Sequence, residues 1–323
     1  MSPLFRSEDY SRPLAPLPPL MPRTWDQVLL NDNFEDGLNG WHTHTALYPP
    51  YLSDHSFYGS PNAMRLSTNE QAQSIVGGKC TIYKRLGETF SGGFMFFGGW
   101  LAFRGREEHA NPGQIALRID HQRFDDTARS FSGLFLRRWI QDGKNQDQFS
   151  PRWSLYPDQI PTEPAEHVYV DIPGTVAARY PAEEGQGAVP GWNVNHAGYW
   201  FAGLLVSLND SDNAAGVGIG RYWRAYLGNS VYDLSALKTN SHVTDDGGGT
   251  HSGEGTGPGS GAENPQVDTS YIEAPNHASS FSGGLNVGLT INNTGQEARG
   301  EAALFAGHLF ACHYPTGTEF PTE

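Results

Sequence analysis

The groups that could move protons in this 323-residue chain fall in three places. Asp120 closes the alternating run Gln114-Ile115-Ala116-Leu117-Arg118-Ile119-Asp120, next to His121, and an extended backbone puts it on one face with Arg118. Asp171 shares a face with Tyr169 and His167 in the same way. His196 lies in Pro190-Gly191-Trp192-Asn193-Val194-Asn195-His196, where a ring, two amides and an imidazole follow a Gly/Pro turn. Hydrolysis of a glycosidic bond asks for two carboxylates about 5 to 9 Å apart. Alternatively, a His, Tyr and Arg set could take a proton from beside a carboxylate, the arginine steadying the developing anion, as elimination requires. Each acid also reads as a solvated strand face with a local ion pair.

Around these groups the chain is rich in rings. It has eight tryptophans and fourteen tyrosines, several beside polar residues and outside any continuous apolar run. A flat aromatic face accepts the C–H surface of a sugar ring, while Arg, Asn, Asp and His side chains satisfy its hydroxyls. The candidates are Trp192, Asn193 and Asn195, then Arg137 with Trp139 in Leu136-Arg137-Arg138-Trp139, and Trp153 beside Arg152. Arg118, Tyr169, Arg221 and Trp223 complete the set; strict alternation would put Arg221 and Trp223 on one face and Tyr222, Arg224 and Tyr226 on the other. Any single tryptophan also reads as core, and an arginine beside a tryptophan as a partner for the protein's own carboxylates.

Metal ligands are diffuse. His42 with His44, and His308 with His313, match no zinc or iron spacing. The acidic turn Asp32, Asn33, Glu35 and Asp36 could collect a structural calcium ion. No cofactor is required by any motif: there is no Gly-rich phosphate loop, G-x-S-x-G elbow or Cys-His pair. Cys80 and Cys312 read as two buried thiols, with a single long-range disulfide as the alternative.

What must position these residues is a set of short strands. Period-two or continuous apolar runs recur at 80–83, 93–103, 114–120, 131–140, 167–172, 199–208, 217–227 and 283–291, and no apolar stripe keeps helical spacing for three turns. The expectation is an all-β fold: a two-sheet antiparallel jelly-roll sandwich with long decorated loops. An aromatic-small-Gly unit recurs, as in Phe131-Ser132-Gly133, Phe201-Ala202-Gly203 and Phe305-Ala306-Gly307, where glycine admits close backbone approach or a bulge. Residues 1–24 form a Pro-rich arm, 25–323 one sandwich domain, and 244–264 a flexible Gly-rich loop within it.

The strand Val28-Leu29-Leu30 followed by Phe34-Glu35-Asp36-Gly37-Leu38-Asn39-Gly40-Trp41, then Ser60-Pro61-Asn62-Ala63-Met64-Arg65-Leu66, resembles the opening of concanavalin A-like and jelly-roll carbohydrate-active proteins. Residues 302–312 are similar to their closing strand, which lies beside the first. With polar-aromatic content beyond what a core needs and loop mass larger than a minimal binding module, the expected function is a carbohydrate-active enzyme, hydrolase or lyase. The chain departs from it at Ala306 and Gly307, where an acidic residue is often found, and it lacks the E-x-D-x-x-E of sandwich glucanases. Two alternatives stand beside the enzyme: a noncatalytic glycan-binding protein, and a structural subunit of a homo-oligomeric assembly that grips neighbours through its arm.

Thirty-five acidic residues against 21 basic give a net charge of −14, and no window of sequence concentrates Lys or Arg. Nucleic acid and anionic membrane surfaces are therefore not expected partners. No stretch reaches the roughly 20 apolar residues of a membrane span, and Glu8 and Asp9 interrupt the place of a secretory core, so the expected location is cytoplasmic.

Overall fold

A computed structural model describes residues 27–46, 48–57, 60–68, 79–87, 92–105, 114–122, 128–140, 149–155, 170–172, 198–208, 221–235, 240–243, 284–292 and 302–320. The arm at 1–24 and the loop at 244–264 lie outside them. In chain order the strands are β1 (Gln27–Asp32), β2 (Trp41–Ala46), β3 (Tyr51–Ser53), β4 (Ala63–Ser67), β5 (Lys79–Gly87), β6 (Phe94–Gly105), β7 (Gln114–Gln122) and β8 (Ala128–Ile140). They continue as β9 (Phe149–Leu155), β10 (Val170–Asp171), β11 (Trp200–Ser207), β12 (Arg221–Leu227), β13 (Ser230–Asp233), β14 (Asn240–Val243), β15 (Gly284–Asn292) and β16 (Ala302–Tyr314).

They form two eight-stranded antiparallel sheets. The first runs β13-β12-β11-β6-β16-β4-β3, with β1 also on β16; the second runs β10-β9-β8-β7-β15-β5-β2, with β14 also on β8. The closing strand does lie beside the first, Val28 opposite Cys312 and Asp32 opposite Leu309. This is the all-β jelly-roll sandwich expected from the strand pattern.

The interlayer core is mainly aliphatic. Ile115, Leu117 and Ile119 of β7 meet Leu134 and Leu136 of β8 and Leu285, Val287, Leu289 and Ile291 of β15; the first sheet supplies Met95, Phe97, Leu101, Leu204, Leu304 and Leu309. Each such side chain taken from water contributes about 1.5–3 kcal/mol. The first sheet also buries its outer face, in an aromatic cluster of Phe94, Phe96, Phe201, Tyr226, Phe310 and Tyr314. That explains the near-continuous apolar runs of β6, β11 and β16, since a strand buried on both sides has no polar row.

Bulges decide which residues face inward. In β16 the register slips between Ala306 and His308, so Leu304 and Ala306 enter the interlayer core before the slip and Leu309 and Ala311 after it. Gly307 sits at the slip, and a Cβ there would lie 2.3 Å from Phe57 and 2.8 Å from Tyr199. The repeated aromatic-small-Gly unit is thus used for close approach, again at Gly203 under the Phe96 ring. A second slip, between Leu205 and Val206, corrects the expected faces of β12. Tyr222 enters the interlayer core while Trp223 and Tyr226 join the outer aromatic cluster, so Tyr222 and Tyr226 do not share a face.

Cys80 and Cys312 are both free and buried, in the interlayer core and the outer aromatic cluster respectively. Burial raises both thiols, Cys80 to about 12, so neither is a nucleophile at neutral pH.

Strand β8 changes partner along its length, pairing with β14 over 128–131 and with β9 over 134–140. The backbone between them is capped from the opposite sheet: Gly133 N donates to Tyr222 Oη at 3.0 Å. Tyr222→Phe leaves that buried amide without its acceptor and should lower unfolding free energy by about 1–3 kcal/mol. Urea denaturation checks this, and an unchanged midpoint would show that the phenol does not hold the layers together.

Candidate functional site

Strict alternation in β7 and β15 leaves the second sheet with an outer face that is polar, and cross-strand register lays it out in rows. One row carries His42, Tyr83, Gly288, Arg118 and Gly133. The next row carries Arg85, Asn286, Asp120, Phe131 and Asn240. On the other side stands Thr81, Thr290, Ala116, Phe135, Ser154 and Asp171, and beyond it Lys79, Asn292, Gln114, Arg137 and Arg152. Trp139 follows on the same face, opposite Ser150.

The centre of this face is enclosed. Arg118 is fully buried, and Thr81 and Thr290, also buried, share a hydroxyl hydrogen bond at 3.1 Å. This overturns the expectation of a solvated strand face at Arg118. An interior guanidinium carries a desolvation cost of several kcal/mol, which a fold sustains only with compensating partners. Glycines occupy the register positions beside Arg118 on both neighbouring strands, Gly288 and Gly133, so what encloses it does not come from those two positions. Beyond Gly288, the Tyr83 ring is stacked with the exposed His42 imidazole at 5.3 Å and 26°. Burial raises the Tyr83 phenol, which keeps it protonated. Asn286 is 6% exposed, and among the described residues no donor reaches its Oδ1.

Arg118, Asp120, Arg137, Trp139 and Asp171 therefore share one face, as register positions. Asp120 and Asp171 are not brought together. Asp171 aligns with Ala116, four residues from Asp120 and three strands away, a backbone separation of roughly 20 Å, far beyond the about 5 to 9.5 Å of a glycosidase pair. Trp153 stands opposite the core residue Leu136, in the core row rather than the polar one. Arg221 and Trp223 belong to β12 of the other sheet. Tyr169, Trp192, Asn193, Asn195 and His196 lie outside the described residues.

Sequence reasoning missed Tyr83, His42, Asn286 and Arg85. A signal for Tyr83 and Arg85 was available in Lys79-Cys80-Thr81-Ile82, which alternates polar and apolar ahead of them, but only the pairing of β5 with β15 and β2 brings them beside Asn286, Arg118 and His42.

The acidic turn does a different job from the one expected. Asp32 Oδ1 accepts from Phe34 N at 3.0 Å, and Oδ2 accepts from Trp41 Nε1 at 2.8 Å and Lys84 Nζ at 3.1 Å. These bonds hold Phe34 in a left-handed backbone conformation, φ 61°, with its ring buried. With an ammonium already on Asp32, the calcium site is not supported, and no group of three His, Cys, Asp or Glu side chains converges among the described residues.

No family model matches this chain, and no curated protein is significantly similar. Among solved structures it is similar to a legume lectin-like domain from Entamoeba histolytica, with 9% identity over 89% of this chain and 98% of that one, TM-score 0.40. The Emp47p carbohydrate recognition domain gives 10% identity over 88% and 95%, TM-score 0.38, and alginate lyase A1-II' gives 11% over 85% and 95%, TM-score 0.34. Overlaps of this size carry no site residue across. No helix among the described residues is long and apolar enough to cross a membrane.

Beside the turn, His308 Nε2 lies 2.6 Å from Asn31 Oδ1. Burial lowers the imidazole to about 4, with Asp32 pulling weakly the other way. Between about 4 and 6.5 the unfolded chain binds more protons at this residue than the folded one, so its contribution to stability falls as pH falls through that window. The loss should total about 2–3 kcal/mol, and His308→Gln should flatten unfolding free energy over that range; an equally steep profile in the variant would assign the titration elsewhere.

Proposed function

We propose that the chain binds carbohydrate without turning it over, holding a sugar on the polar face of the second sheet. The observation that carries this reading is Asn286 Oδ1, a buried acceptor with no donor among the described residues, in the row next to a Tyr83–His42 ring stack and Arg118. An unmet acceptor costs about 1–3 kcal/mol, and a sugar hydroxyl entering where Asn286 is now enclosed is a donor of matching chemistry. The neighbouring rings supply a flat surface for the sugar's C–H face, the His42 imidazole being exposed.

The separation of Asp120 from Asp171 favours binding over hydrolysis by that pair. Turnover would therefore have to come from some other arrangement.

Asn286→Leu separates a ligand contact from a structural one. It removes the unmet oxygen, so the melting temperature should hold or rise, while glycan affinity measured by calorimetry against a panel of neutral and acidic glycans should fall about tenfold or more. Unchanged affinity for every glycan bound would overturn the placement. The same mixtures should show no new reducing ends and no unsaturated uronate absorbance; product that disappears in Asp120→Asn would overturn the noncatalytic reading.

A further inference from the structure

Asn39-Gly40 is the one Asn-Gly pair in the chain, and the fold presents it for reaction. The two residues form the centre of a turn closed by Trp41 N donating to Leu38 O at 3.1 Å, with Gly40 at φ 74° and both residues exposed. The turn's own bond does not use the Gly40 amide, and among the described residues nothing accepts from it. With no side chain on Gly40, that nitrogen can close on the Asn39 side-chain carbonyl carbon at little steric cost. The Asn39 side-chain nitrogen donates to Asp36 O at 2.8 Å, an exposed bond that water readily replaces. What distinguishes the pair is Lys84, reaching across from β5 of the second sheet. Its ammonium donates to the main-chain Asn39 O at 2.9 Å while held by Asp32 Oδ2 at 3.1 Å. Its stem packs on Gly40, where a Cβ would lie 3.3 Å from Lys84 Cε.

We propose that Asn39 is a self-modification site, deamidating in the folded protein, and that Lys84 directs the product to isoaspartate. In the first step the Gly40 nitrogen gives its proton to solvent base and bonds to Asn39 Cγ. The Cγ–Nδ2 bond breaks and the amide nitrogen leaves as ammonia, which closes a five-membered cyclic imide. Water then opens the imide at one of its two carbonyls. Addition at Cγ restores the original main chain and gives aspartate. Addition at the main-chain carbonyl breaks its bond to Gly40 N instead, so the chain runs through Cγ and the former main-chain carbonyl becomes a free carboxylate. The oxygen of that carbonyl is the one Lys84 holds. An ammonium there stabilises the oxyanion formed as water adds, and afterwards pairs with the carboxylate. No electrons are transferred: one water is taken up and one ammonia released. The product carries an extra methylene in the main chain between Leu38 and the core residue Trp41, so a slow covalent change reaches the turn that fastens the two sheets.

The test incubates the full chain at mildly alkaline pH, once folded and once in guanidinium chloride, and follows residue 39 by peptide mapping with mass spectrometry and by enzymatic methylation specific for isoaspartate. The expected result is conversion of Asn39 in the folded chain, with an isoaspartate-to-aspartate ratio at least about threefold above that of the unfolded chain. Lys84→Met should return the folded ratio to the unfolded value, and Asn39→Gln should remove the isoaspartate signal at this position. The comparison of folded with unfolded unaltered chain tests the role of Lys84 even if its variant fails to fold. An Asn39 that stays intact in the folded chain while converting in guanidinium chloride would overturn the site. Equal ratios in the folded and unfolded chains, or an unchanged ratio in folded Lys84→Met, would overturn the direction by Lys84.

Discussion

A β-strand hands alternate side chains to opposite sides of its sheet, and in β7 and β15 that constraint is obeyed without interruption. Ile115, Leu117 and Ile119 go into the interlayer core with Leu285, Val287, Leu289 and Ile291, and register fixes Arg118, Asp120, Asn286 and Thr290 on the reverse. A slip of one residue would put an arginine and an aspartate into an aliphatic core, at a cost far above the gain from any alternative pairing. The core therefore sets the polar face.

The first sheet solves a different problem. Packed on one side against the second sheet and on the other by its own aromatic cluster, it needs apolar side chains in both directions and close approaches between layers. Bulges supply the adjustment, at Gly307 in β16 and beside Trp223 in β12. The Asp32 turn fastens the sheets at one end: Phe34 and Trp41 enter the core and Lys84 of the second sheet reaches the same carboxylate. Tyr222 ties them at another point, on the backbone of Gly133.

The sandwich, the pairing of first and last strands and the two faces of β7 were legible in the amino-acid order, because clean alternation and unbroken apolar runs are local signals. The faces of β12 were not, since a bulge leaves no mark in a run such as Arg221-Tyr222-Trp223-Arg224. Arg118 was legible as an outward residue but not as an enclosed one, because enclosure depends on what packs over the sheet. The adjacency of Tyr83, Arg118 and Asn286 was out of reach for a simpler reason: the three are scattered along the chain, and only non-local pairing brings them into neighbouring rows. Tyr83 and Asn286 were overlooked for the same cause.

The central claim is that the reverse of the aliphatic core in the second sheet is where a sugar rests. A crystal structure of the chain soaked with an oligosaccharide that it binds in solution addresses it directly. The predicted result is a sugar hydroxyl in hydrogen-bond reach of Asn286 Oδ1. Electron density for the sugar on the aromatic face of the first sheet, with the Asn286 face left unchanged, would contradict it.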